Sequence, residues 1–309
     1  MSRASHLLAT ASSLAPQVDL LFWFMVGMCA VVAIGVIIAV ICFSVRYRHG
    51  SRANREGSAS QSVRIELTWT LIPLLLFIAV FAWSLRIFVR MHTAPDISQT
   101  VYVVAKQWMW KVQHAGGQRE INTLHVPLGE PIRLTMTSED VIHSFYVPAF
   151  RVKQDVLPGR YTQLWFTATQ LGDFPLFCAE YCGLDHAKMG GSIVVMRPAD
   201  FARWLDSHPG PQSLAAAGAV MFQAHGCGGC HGPDSTVHAP DLVDLYGRAV
   251  QLSDGSTVIA DDSYLRDSIV LPNKQIVAGY APLMPSFAGQ LSEEDLLALI
   301  AYLKTREHP

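Results

Sequence analysis

Cys178-Ala179-Glu180-Tyr181-Cys182-Gly183-Leu184-Asp185-His186-Ala187-Lys188-Met189 decides how the middle of the chain folds. Two thiols, an imidazole and a thioether fall within these twelve positions. Thiolate and thioether are soft ligands and imidazole suits copper, so the set favours copper. A structural zinc site also uses two cysteines and two histidines, but only one histidine is local here and a methionine has no place in a tetrahedral zinc shell. A Cys178–Cys182 disulfide is the remaining alternative. A second imidazole is expected from His143, in Ser138-Glu139-Asp140-Val141-Ile142-His143-Ser144. Two thiolates bridging two copper ions would spread one electron over both metals. Little geometry then changes on oxidation, provided rigid elements hold the ligands.

Outward from this motif the chain reads as strands from Thr100 to Arg197. Ile132, Leu134 and Met136 alternate with Arg133, Thr135 and Thr137, and the stretches 101–104, 161–167 and 192–196 are β-branched or aromatic. Gly116-Gly117, Gly129-Glu130-Pro131 and Pro158-Gly159 punctuate them as turns. Short strands at this spacing predict a sandwich or barrel. His114 and His125 read as ordinary surface or turn histidines.

Towards the N-terminus lie two apolar runs. Leu20 to Val45 has no charged residue, and about 20 such residues suffice to cross a bilayer. It is long and lacks a small-residue cleavage site, so it reads as a span rather than a signal peptide. Cys29 and Cys42 within it read as apolar packing residues. A second span follows from about Thr68, uncharged until Arg86 and Arg90, which should snorkel to the interface. Between the spans Arg46, Arg48, Arg52, Arg55 and Arg64 outnumber Glu56 and Glu66, which makes the loop cytoplasmic. Both ends of the chain are then on the opposite side, the oxidising one.

Towards the C-terminus, Ser207 to Ser213 is polar, broken by Pro209 and Pro211, and reads as a linker. Leu214 to Ala224 should be helical. Cys227-Gly228-Gly229-Cys230-His231 then gives two thiols that add to haem vinyl groups and an imidazole for the iron. Met284, between Pro282 and Pro285, is the expected sixth ligand; Met221, the competitor, reads as packing. Ser292 and Asp295 form a capping-box pattern ahead of Leu296, Leu299, Ile300 and Leu303, a helical stripe expected to pack near Val220 and Phe222.

The chain has 309 residues and a formal net charge of −2, a balance that argues against nucleic-acid binding. Its six cysteines form three unlike pairs rather than a disulfide framework.

From about Val63 to Met196, the cysteine motif, the string ending in His143 and Pro158-Gly159-Arg160 resemble subunit II of cytochrome c oxidase. The last hundred residues resemble a class I cytochrome c. The resemblance implies a multi-domain membrane protein: a two-helix transmembrane hairpin, an all-β cupredoxin sandwich and an all-α class I cytochrome c domain. Its division is 1–19 outer segment, 20–45 and 68–90 spans, 46–67 cytoplasmic loop, 91–205 copper domain, 206–213 linker and 214–309 cytochrome domain.

It further implies two copper ions held by His143, Cys178, Cys182, His186 and Met189 with the Glu180 carbonyl, and one haem c on Cys227, Cys230, His231 and Met284. The Glu180 carboxylate would reach a magnesium or manganese ion at subunit I. Trp108 resembles the point where electrons arrive, with Trp110 as either its partner or sandwich core. Glu66, ahead of Trp69, would lie near a proton entrance, or merely mark the helix start. The implied protein accepts electrons from cytochrome c or another periplasmic donor in a bacterial inner membrane. It passes them to subunit I, alongside subunit III, for oxygen reduction with proton pumping. The alternatives are the equivalent subunit of a nitric oxide reductase and a stand-alone membrane electron carrier.

Overall fold

The computed structural model describes residues 9–53, 63–96, 98–233 and 235–306. Arg55, Glu56 and the first eight residues lie outside the described residues.

The two apolar runs form helices α1 (Ala15–Arg46) and α2 (Val63–His92). Both extend past the spans read from hydropathy, because helical backbone bonding continues where the flanks turn polar. At ~1.5 Å per residue each is ~45 Å long, more than the ~30 Å of a hydrocarbon core. They pair antiparallel: Phe24 lies 5.5 Å from Trp83, and Arg90 donates to Gln17 at 3.1 Å. Their apolar side chains point outwards, as Val31, Ile41, Ile72 and Phe81 do. Cys29 and Cys42 are likewise exposed on this outward apolar surface. A surface this apolar is stable only under lipid or other protein.

Residues 99–196 form two five-stranded sheets. In chain order the strands are β1 (Gln99–Lys106), β2 (Met109–His114), β3 (Arg119–Ile121), β4 (Thr123–Pro127), β5 (Pro131–Ser138), β6 (His143–Val147), β7 (Val152–Val156), β8 (Thr162–Thr167), β9 (Gly172–Cys178) and β10 (Gly190–Met196). The sheet orders are β3-β2-β1-β5-β8 and β4-β10-β9-β6-β7. Pairing is antiparallel except for β1 with β5 and β4 with β10. Strand alternation sends Val101, Val103, Leu134 and Met136 inwards against Phe145, Phe174 and Ile193. Trp110 is fully buried in this core, edge-on to Phe145 at 5.3 Å, so the sandwich-core reading holds for it.

The sequence missed helix α3 (Pro198–Ser207), which follows β10 and shortens the linker. It also misplaced two histidines. His114 is buried and His125 half-buried, and both bind Glu120, through Nε2 at 2.9 Å and Nδ1 at 2.5 Å. The His125 ring stacks on Trp204 of α3 at 4.5 Å. The β2–β3 hairpin and the turn into β4 bring these residues together.

The C-terminal lobe contains α4 (Leu214–Ala224), the single turn α5 (Gly228–His231), the hairpin β11 (Ala249–Gln251) with β12 (Thr257–Ile259), α6 (Asp262–Val270) and α7 (Glu293–Lys304). Ser292 and Asp295 close the expected capping box. The α4–α7 crossing is tighter than the sequence suggested. A Cβ on Gly218 would lie 2.0 Å from the Ala298 carbonyl oxygen, so only glycine fits there. Phe222 packs against the α7 stripe as expected, whereas Val220 is exposed because it lies off that face.

Burial raises the Glu120 carboxyl, but the His114 and His125 rings and the His125 backbone N–H outweigh it and hold it at about 2, against an ordinary 4.5. The folded state therefore favours the ionised form. Its contribution is fully present above pH 4.5 and is lost as the pH falls towards 2. Glu120→Gln should cost roughly 3 kcal/mol at neutral pH and flatten the wild-type loss over that acid range. Urea unfolding of the full chain at a series of pH values, followed by tryptophan fluorescence, checks this.

Candidate copper and haem centres

The copper-type ligands converge at one end of the sandwich. Strand β6 begins with His143 and β9 ends at Cys178, and these strands pair side by side. The chain then loops through Cys182 and a 3-10 turn at His186–Lys188, and returns at Met189 into β10. Backbone bonds fix the loop: Cys178 N–H donates to the Met189 carbonyl at 3.1 Å, and Ala179 N–H to the Ser144 carbonyl at 3.0 Å. Gly183 sits at a positive φ of 114°, where a Cβ would crowd Gln107 and the Trp108 ring.

The donor atoms are close. Cys178 Sγ lies 3.7 Å from Cys182 Sγ and 3.9 Å from His143 Nδ1. Cys182 Sγ lies 3.4 Å from His186 Nδ1 and 3.7 Å from Met189 Sδ. The Glu180 carbonyl oxygen is 3.2 Å from Cys178 Sγ. The sulfurs are too far apart for a disulfide, whose S–S length is ~2.05 Å. Ligand atoms of His143, Cys178 and Cys182 all lie within 4.8 Å of one another, and all three residues are buried. All six sequence-predicted ligands are therefore brought together, in a donor set that fits copper.

Three neighbours tune the site. Asp140 Oδ1 lies 2.8 Å from His143 Nε2, which leaves Nδ1 free to face the metal. Gln107 donates to the Cys182 carbonyl at 2.8 Å, and Trp108 Nε1 donates to the same oxygen at 3.2 Å. Trp108 thus lies one hydrogen bond from the backbone of a ligand. Asp140 and Gln107 were missed by the sequence reading, although Asp140 stands three positions before His143. Burial opposes ionisation of both thiols. Contacts from His143 and backbone groups nevertheless hold Cys178 down at about 6, while the neighbouring Cys178 helps push Cys182 up to about 12. A cation would release both protons.

The second site is a cavity of about 480 Å³ in the C-terminal lobe, within the usual range for a bound cofactor. Cys227, Cys230, His231 and Met284 all line it, amid apolar side chains such as Leu242 and Leu299. His231 Nδ1 lies 2.9 Å from the Pro240 carbonyl, which can accept its proton and leave Nε2 for iron. Met221 packs into the surrounding core, and Met284 faces the cavity. These residues fit a covalently attached haem.

A thiol-rich site on a two-sheet sandwich, joined to a haem-type cavity and two long apolar helices, defines a membrane-bound redox protein of the cupredoxin and cytochrome c type. Residues 3–87 match the cytochrome c oxidase subunit II transmembrane domain, 91–197 its periplasmic domain and 215–307 cytochrome c. Cytochrome c oxidase subunit 2 of Thermostichus vulcanus is 31% identical over 252 residues, covering 63% of this chain and 76% of that protein. The Alkalihalophilus pseudofirmus protein of the same name is 28% identical, covering 78% of this chain and 72% of its own. The crystal structure of the periplasmic domain of subunit II of cytochrome oxidase from Bradyrhizobium japonicum is 34% identical over 38% of this chain and 96% of that chain, with a TM-score of 0.36. The chain belongs to the cytochrome c oxidase subunit II family and carries a C-terminal cytochrome c domain.

Met284→Ala should leave the haem attached and lower its reduction potential, because a thioether opposite histidine raises it. A redox titration of the purified chain reads this, and an unchanged potential would assign the sixth position to another side chain.

Proposed function

We propose that the chain is the electron-input subunit of a respiratory haem–copper oxidase, taking electrons at a haem on Cys227, Cys230, His231 and Met284 and delivering them through a dinuclear copper centre to subunit I. The single observation that carries this reading is the presence of both ligand sets in one chain, one gathered at the end of the sandwich and the other lining the C-terminal cavity. Bound there, haem and copper supply one-electron oxidation and reduction. The protein's part is to hold His143, Cys178, Cys182, His186, Met189 and the Glu180 carbonyl still, so that each electron meets a small reorganisation barrier.

Trp108 is the point where electrons reach the copper domain, a role supported by its bond to the Cys182 carbonyl. The Glu180 side chain is exposed beside the ligands, which suits a magnesium or manganese ion shared with subunit I. Val141, Ile142, Tyr181 and Leu184 form an exposed apolar collar around the site, Leu184 at 93% exposure, and subunit I would cover it. Glu66 stands in the first turn of α2, exposed, in keeping with a proton entrance at the cytoplasmic side. The arginine-rich loop between the spans supports a topology with both termini in the periplasm of a bacterial inner membrane. The donor is a cytochrome c or another periplasmic carrier, and subunit III completes the assembly.

Purification in mild detergent tests the assignment. A haem–copper subunit should copurify, and the complex should consume oxygen. Turnover with nitric oxide but not oxygen would move the chain to a nitric oxide reductase. Recovery of the chain alone would leave a stand-alone carrier.

A further inference from the structure

Helix α7 has two buried faces. Leu296, Leu299, Ile300 and Leu303 belong to the core around the haem-type cavity, and Leu299 and Leu303 line the cavity itself. Leu297 and Ala298, on the other side, bury with Leu214 against Tyr102 and Val104 of β1. Tyr102 and Val104 alternate with Val101, Val103 and Ala105, which face the sandwich core. A single helix therefore separates the cavity from the outer face of the sheet β3-β2-β1-β5-β8.

Charged residues rim this contact. Lys111 of β2 lies 2.9 Å from Glu294 of α7 and 2.7 Å from Glu139, which also binds Lys106 at 2.9 Å. Arg266 of α6 is 93% buried by residue, at 7% exposure. It donates to Glu293 at 2.5 Å and to the Gly159 carbonyl of the copper domain at 2.9 Å, and its guanidinium lies 5.9 Å from the Tyr161 ring centroid. The chain between the domains is also close-fitted: Gly210 and Gly117 meet backbone to backbone, where a Cβ on Gly210 would lie 2.2 Å from Gly117. Leu214 N–H donates to the Ala115 carbonyl at 3.3 Å. An apolar centre, a buried bidentate-capable cation and a flanking ion pair are what a specific, fixed interface needs.

We infer that Arg266 and the Lys111–Glu294 pair clamp the cytochrome domain on the copper domain in one pose, and act as positioning residues for haem-to-copper electron transfer. The inference rests on the proposed electron order, since it concerns how that order is enforced. The transfer moves one electron from reduced haem iron to the oxidised copper centre, with no bond made or broken, so its rate depends on the distance and orientation that the clamp sets. A tethered but unclamped domain would instead sample many poses, few of them productive.

The full-length chain in mild detergent tests this in two ways. A zero-length carbodiimide should join Lys111 to Glu294 as well as to Glu139, whether or not the cofactors are present. A Lys111–Glu139 product without the Lys111–Glu294 product would overturn the pose. In the loaded chain, brief photoreduction of the haem should be followed by reduction of the copper. Combining Arg266→Gln with Glu294→Gln should slow that step by about tenfold or more, with haem potential and copper absorption unchanged. If Arg266→Gln fails to attach haem, Glu294→Lys alone, which sets a second ammonium against Lys111, should slow it in the same way. A variant rate equal to wild type would overturn the clamp. A wild-type copper that never takes the electron would overturn the electron order itself, and the crosslink would still decide the pose.

Discussion

Burying two thiols 3.7 Å apart beside two imidazoles is costly for a protein without a cation. Burial disfavours the thiolate of both, and Cys178, held down by His143 and backbone contacts, makes ionisation of Cys182 harder still. The copper domain is organised around that constraint. Paired strands β6 and β9 deliver His143 and Cys178, the loop to β10 returns Cys182, His186 and Met189, and Asp140 fixes the tautomer of His143. Trp110 fills the core beneath, 6.1 Å from His143. Ligands held by a sheet on one side and a backbone-bonded loop on the other have little room to relax when the charge changes. That stiffness is the property an electron relay requires.

The cytochrome domain follows a different rule. Its cavity is lined by loop residues such as Ala239, Val277 and Pro282 as well as by helices, and Gly218 lets α4 and α7 cross at backbone contact. Because α7 is apolar on two sides, one helix serves both as the wall of the cavity and as the docking face for the β-sheet. Folding of the cytochrome domain and its attachment to the copper domain are therefore linked through the same helix, by different faces of it.

The sites were more legible in the sequence than their surroundings. Copper and haem chemistry need particular side chains at short spacing, so Cys178 to Met189 and Cys227 to His231 could be read directly, and Met284 followed from its prolines. His143 was reachable because its flanking string is distinctive. The spans were plain from hydropathy, though their ends were not, since helical backbone bonding outlasts the apolar stretch. What escaped was tertiary packing. Glu120 on β3 meets His114 through the β2–β3 hairpin and His125 just after the turn into β4, and nothing in the residue pattern marks these histidines as buried. Arg266 and Gly159 are far apart in the chain, and each looks ordinary alone.

The proposed electron path requires the two buried thiols to share a copper pair. Electron paramagnetic resonance of the oxidised, purified chain tests that directly. An unpaired electron shared over both metals should give hyperfine splitting from two equivalent copper nuclei, and Cys182→Ser should abolish the pattern. Splitting from a single copper nucleus in the wild-type chain would contradict the account.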